Sequence, residues 1–189
     1  MMKNRLSITK KEEYRELNSI CGRVDSVLFG ADVFDKLPVA ELIHQLGLNI
    51  SASNRSVEGL TVQKAAELLD ECVFQLKPSK VFLNFGDMEL QAGDCGQKAF
   101  LAGYEALIRE IQSHLSCKIH IISVLAKSPE AAQLNAGLRK LAEKTGCRFV
   151  DVSESLEQER PLLYLFRQLS YYMRESRITF TEAMNMASA

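Results

Sequence analysis

Short β-rich runs alternate with amphipathic helical segments five times along this 189-residue chain. The runs cover 24–29, ending at Gly30, then 48–53, 81–85, 118–125 and 148–152. Val81 to Phe85 is almost wholly apolar, as suits a strand covered on both faces. Between the runs, Pro38 opens a helix with Val39, Leu42, Ile43 and Leu46 on one side, and Gly47 stops it. Thr61 begins a second that buries Val62, Ala65, Leu69, Val73 and Leu76. Phe100, Tyr104, Leu107, Ile108, Ile111 and Leu115 mark a long one. Ser128 and Pro129 stand as N-cap and first residue of another, which carries Leu134, Leu138 and Leu141 and ends at Gly146. At the start, Thr9 to Glu12 reads as a capping box for a helix with Tyr14, Leu17, Ile20 and Cys21, closed by Gly22. The tail from Pro161 reads as helical.

This alternation predicts a five-stranded parallel sheet with helices on both faces, a three-layer α/β/α sandwich with right-handed crossovers. Ligands of such sheets sit beyond the carboxyl ends of the strands. The loops after Phe29, Ser53, Phe85 and Leu125 are therefore the candidates for a site. With no repeat or linker, the expectation is one domain over 1–189, with an N-terminal helix over 1–22 and a C-terminal helical tail over 161–189.

Composition narrows the function classes. The 23 Lys and Arg nearly balance the 24 Asp and Glu, for a net charge of -1. That balance gives no electrostatic reason to expect nucleic acid or an anionic membrane as partner. No apolar stretch approaches the ~20 residues of a membrane span, and Met1 to Lys11 lacks the apolar core of a signal peptide. A cytoplasmic location is expected. Cys21, Cys72, Cys95, Cys117 and Cys147 are scattered and never form a CxxC pair. They read as separate, mostly buried thiols with no metal site, and no cofactor is expected.

Val27-Leu28-Phe29-Gly30-Ala31-Asp32 followed by Pro38 resembles the first block of the SGNH (GDSL) hydrolases, in which a strand leads into Gly-Asp-Ser. Asn54-Arg55-Ser56-Val57-Glu58-Gly59 is similar to their second block, and Val81 to Leu90 to the run into their third, Gly-x-Asn-Asp. Ser123-Val124-Leu125, Leu134 to Ala142 and Phe149-Val150-Asp151-Val152 resemble the fourth strand, the following helix and the fifth strand. The resemblance is collinear from about residue 24 to 156. It implies a flavodoxin-like SGNH-hydrolase fold. In that family a serine attacks an ester carbonyl, a C-terminal histidine takes the proton, and an aspartate orients the histidine. The serine N–H, a glycine N–H and an asparagine side chain hold the oxyanion.

The matching positions here do not carry that chemistry. Asp32 stands for the serine, Met88 for the asparagine, and only Gly59 agrees with the family. Aligning Leu169 to Glu175 with the final Asp-x-x-His block puts Tyr172 for the aspartate and Glu175 for the histidine. The last histidine of the chain is His120, within the fourth strand. Losing triad members costs a serine hydrolase on the order of 10⁴- to 10⁶-fold in rate. The resemblance therefore implies a non-catalytic relative that binds a small ligand or a partner in the former active-site cleft. The alternative is an acyl or acetyl ester hydrolase with a rewired, carboxylate-based site.

Asp32, Glu58, Gly59, Asp87, Met88 and Glu89 are the candidate ligand-binding residues. Against a cation- or ligand-binding role stands a plainer one, in which the acids cap turns and helices. His44 and His114 read as surface residues, and His120 as a hydrogen-bonded core histidine. Ser56 lies near Gly59 with no histidine obviously in reach. The apolar tail residues Leu162, Leu163, Tyr164, Leu165, Phe166, Leu169, Tyr171 and Tyr172 read as a last helix packed on the sheet, or else as a homodimer surface or a lid.

Overall fold

A computed structural model describes residues 2–31, 33–92 and 96–174, with side chains from Lys10 onward. Its strands are β1 (Ser26–Gly30), β2 (Ala52–Asn54), β3 (Lys80–Asn84), β4 (Lys118–Ile122) and β5 (Arg148–Val150). All are parallel, in the order β2-β1-β3-β4-β5. The chain starts inside the sheet, winds outward to β2, then crosses back over β1 to β3. The order thus reverses between β1 and β3, the switch point beyond whose carboxyl ends the crevice of such folds lies.

The helices are α1 (Met2–Ile20), α2 (Val39–Gln45), α3 (Val62–Ala65), α4 (Asp87–Ala92), α5 (Gln97–His114), α6 (Pro129–Thr145) and α7 (Pro161–Arg174). Because side chains alternate along a strand, Val27 and Phe29 of β1 join one core and Leu28 joins the other. The larger core takes Val81, Leu83, Ile119 and Ile121 from the sheet and Phe100, Tyr104, Ile108 and Leu138 from α5 and α6. The smaller takes Phe82, Ile122 and Val150, covered by Val39 of α2 and Leu165, Phe166, Leu169 and Met173 of α7. The apolar tail segment is thus a packing helix. Ser128 accepts the Ala131 N–H at 3.1 Å ahead of Pro129, and Gly146 ends α6 at φ +70°, as the sequence suggests.

Four local features differ from expectation. Helix α1 begins at Met2, so the Thr9 to Glu12 pattern lies inside it rather than capping it. The expected stripe does not reach the core along its length: Tyr14 is buried, but Leu17 is 42% and Ile20 81% exposed. The expected second strand shrinks to Ala52–Asn54, with Leu48 and Ile50 half-buried against the smaller core ahead of it. After α3 the chain continues through a 3₁₀ turn (Ala66–Leu68) and a π turn (Asp70–Phe74). Helix α4 and a 3₁₀ turn at Ser153–Glu157 carry no periodic apolar signal of their own.

Of the cysteines described, Cys72 is buried, Cys117 and Cys147 are half-buried and Cys21 is exposed. Burial pushes the Cys117 thiol up to about 11 and raises Cys147 as well, so both stay protonated near neutral pH. No group of three or more metal-ligating side chains occurs among the described residues. No described helix is long and apolar enough to cross a membrane.

Candidate active site

The loops at the carboxyl edge are bound to one another chiefly through side chains that hold backbone groups. Between β1 and β3 the strands run close enough for the Ala31 N–H to donate to the Asn84 carbonyl at 3.2 Å. The Val57 N–H donates to the Gly30 carbonyl at 2.9 Å, which ties the loop after β2 to the end of β1. Asn54 completes that corner. Its Nδ2 donates to the carbonyls of Phe34 and Leu37 at 2.5 and 3.1 Å, and its Oδ1 accepts the Ser56 N–H at 3.1 Å.

Across the crevice, buried Asn84 donates from Nδ2 to the Ser123 carbonyl at 3.2 Å. The Ser123 hydroxyl accepts the Val152 N–H at 2.9 Å. Asn135 of α6 brackets Val124, accepting its N–H at 2.8 Å and donating to its carbonyl at 3.0 Å.

Two of the acidic candidates belong to this frame. Asp87 Oδ1 accepts the N–H groups of Leu125 and Ala126 at 3.1 and 2.8 Å, joining the start of α4 to the loop after β4. Glu89 is 5% exposed, and its two oxygens accept the N–H of Val62 at 2.7 Å and of Gly86 at 3.0 Å. It thereby caps α3, where Thr61 makes no side-chain cap of its own. Burial raises the Glu89 carboxyl above its ordinary value, with the hydrogen bonds from Val62 and Gly86 acting the other way. The plainer role, capping turns and helices, is thus the geometry of both acids.

Met88 is half-buried and packs against the larger core. Gly59 sits at φ +70° with open space around it, so its glycine answers to backbone conformation rather than to crowding. Glu58 is exposed beside it. Asp35, in the turn after β1, carries a carboxyl raised by burial and further by the charge of Glu58, with Lys10 and Lys36 opposing. Asp32 and Glu175 lie outside the described residues.

The structure does not bring Tyr172 to the other candidates. Its ring lies 5.6 Å from that of His120 and beneath the guanidinium of Arg148 at 5.5 Å. Lys80, the first residue of β3, donates from Nζ to the Met173 carbonyl at 2.6 Å. The end of α7 therefore lies over the amino ends of the strands, opposite Gly59 and Met88. The chain that reaches the carboxyl edge ahead of α7 is 152–160, where Glu157 pairs with Lys127 of the loop after β4. That segment carries Glu154, Glu157, Glu159 and Arg160 but no histidine.

The three histidines lie elsewhere. His120 is 1% exposed beneath α7, stacked on Phe82 with ring centroids 4.5 Å apart. His44 is exposed in the last turn of α2. His114 is exposed in the last turn of α5, at the amino end of β4, stacked on Phe74. Its Nδ1 lies 3.0 Å from the hydroxyl of adjacent Ser113 and 3.0 Å from the Glu110 carbonyl. This Ser-His contact is local to one helix end and far from the loop of Gly59.

Beside the crevice, a groove of about 380 Å³ opens between the loops after β4 and β5, lined by Lys127, Ser128, Asn135, Arg139, Asp151 and Ser153. Arg139 reaches Asp151 across it at 3.2 Å, and Asp151 also accepts the Ser153 hydroxyl at 2.7 Å.

No family model matches the sequence, and no curated protein matches it. Solved structures do match in fold. A candidate platelet activating factor from Streptococcus pneumonia superposes with a TM-score of 0.77 at 19% identity, covering 91% of this chain and 96% of that one. A GDSL-like lipase from Bacteroides thetaiotaomicron gives 0.72 at 14% identity, covering 87% and 97%. An acetylxylan esterase from Geobacillus stearothermophilus gives 0.64 at 16%, covering 84% and 98%. The β2-β1-β3-β4-β5 sheet, its two helical layers and these superpositions together identify the fold of this chain as that of the SGNH hydrolases.

Proposed function

We propose that this chain is a non-hydrolytic relative of the SGNH enzymes, using the crevice beyond β1 and β3 to hold a small molecule or a partner. One observation carries the proposal: each of the chain's three histidines lies on a helix end or beneath α7, away from the loop of Gly59. Without a histidine at that edge, no Ser–His pair of the family's kind forms there. A carboxylate-based hydrolase draws no support from Asp87 or Glu89, since both are engaged with backbone N–H groups. The thioether of Met88 has no hydrogen to offer an oxyanion. A cytoplasmic location, resting on the scattered thiols, belongs to the same proposal.

Turnover of short p-nitrophenyl esters, from acetate to octanoate, tests this. The expected rate equals the buffer background, with and without divalent metal ions. Turnover above background that disappears in Asp32→Ala would replace the proposal with the rewired hydrolase.

A further inference from the structure

Helix α1 rests on the loop after β2 and on the π turn after α3, where Tyr14 joins the larger core and the remaining contacts are polar. The Tyr14 hydroxyl donates to the Ser56 carbonyl at 2.6 Å. Arg15 Nη2 reaches Glu71 Oε1 at 2.6 Å. Asn18 donates from Nδ2 to the Glu71 carbonyl at 2.7 Å and accepts from Arg55 Nη2 at 3.0 Å. In the π turn the Gln75 N–H reaches back to Asp70, and Asn18 takes up the Glu71 carbonyl. Among the described side chains of α1, Tyr14 alone is buried.

The surface underneath is unusually polar for one so well covered. Arg55 is 5%, Ser56 2% and Glu71 2% exposed. Arg55 Nε, Ser56 Oγ and Glu71 Oε2 are buried without a hydrogen-bond partner among the described residues. Buried polar atoms without partners weigh against the closed state, and lifting α1 would return them to water. The gain from the α1 contacts and this penalty oppose each other. Residues 21–25, which include Gly22, form no regular structure between α1 and β1 and can serve as the hinge.

We propose that α1 is a releasable strap. Docked, it fixes Ser56 and with it the loop that carries Glu58 and Gly59 at the mouth of the crevice. Lifted, it uncovers Arg55, Ser56 and Glu71 and releases the Ser56 carbonyl, leaving the loop to its bonds through Asn54 and Val57 while the sheet stays folded. The strap does not depend on whether the crevice binds a ligand or turns over an ester.

Hydrogen–deuterium exchange of the full chain, followed by mass spectrometry, tests it. Amides of 10–20 and 54–60 should exchange together, on the order of 100-fold faster than those of β3 and β4. Tyr14→Phe, which removes the bond to Ser56, should speed both segments about fivefold and leave β3 and β4 unchanged. Three results would overturn the strap. In one, α1 exchanges as slowly as β3. In another, Tyr14→Phe speeds α1 without the 54–60 loop. In the third, the variant speeds β3 and β4 equally, which would make α1 part of the global folding unit.

Discussion

Gly30→Ala should destabilise the protein by about 3 kcal/mol or more, measured as a drop in the urea midpoint at unchanged slope. A Cβ at Gly30 would lie 2.3 Å from the Asn84 carbonyl oxygen and 3.0 Å from its carbon. These are backbone atoms of the central strand, so no side chain can swing aside. Relief requires β1 and β3 to part where they pair, at Gly30 and Asn84, and to weaken the bond from Ala31 to Asn84. Asn84 also ties β3 to Ser123, so the disturbance should pass on to β4. A stability within 1 kcal/mol of the parent, on the order of an ordinary surface change, would show that the close approach is not required.

Glu89→Gln should cost about 2 kcal/mol at neutral pH, because an amide can accept one of the two N–H groups but turns its NH₂ toward the other. The effect should also depend on pH, in a direction fixed by the environment of the carboxyl. Burial holds the folded-state pKa of Glu89 above the ordinary 4.5. A group raised in this way contributes its full stabilisation below the unfolded value and loses it as pH rises through the folded one. The advantage of the parent over Glu89→Gln should therefore be greater at pH 4 than at pH 7, shrinking across the interval above 4.5. Urea titrations of both proteins at several pH values check this. A difference that grows toward pH 7 would mean that the hydrogen bonds from Val62 and Gly86 outweigh burial.

The elements that carry their own periodic signal were legible in the sequence. Val81 to Phe85 reads as a doubly covered strand, and β3 is central and wholly buried. Ser128 and Pro129 read as a helix start and form one, because both act within a single turn. The order of strands and helices sufficed for the three layers. What local patterns could not convey are the partners supplied from afar. Glu89 lies 27 residues from the N–H it caps, and Tyr14 lies 42 from the carbonyl it holds. The Thr9 to Glu12 pattern, by contrast, fits a capping box so well that the sequence alone hides the longer helix. Placing Tyr172 at the site failed to allow for direction: α7 runs from the carboxyl edge back to the amino ends, as Lys80 at Met173 attests.

A fluorophosphonate probe reports directly on an activated serine, whose oxygen displaces fluoride to leave a stable phosphonate ester. Intact-mass analysis of the folded protein after incubation with excess probe, beside an active serine esterase as control, should show the control labelled and this chain unmodified. One stoichiometric adduct, mapped to Ser56, Ser123, Ser128 or Ser153 and lost on denaturation before labelling, would contradict the account.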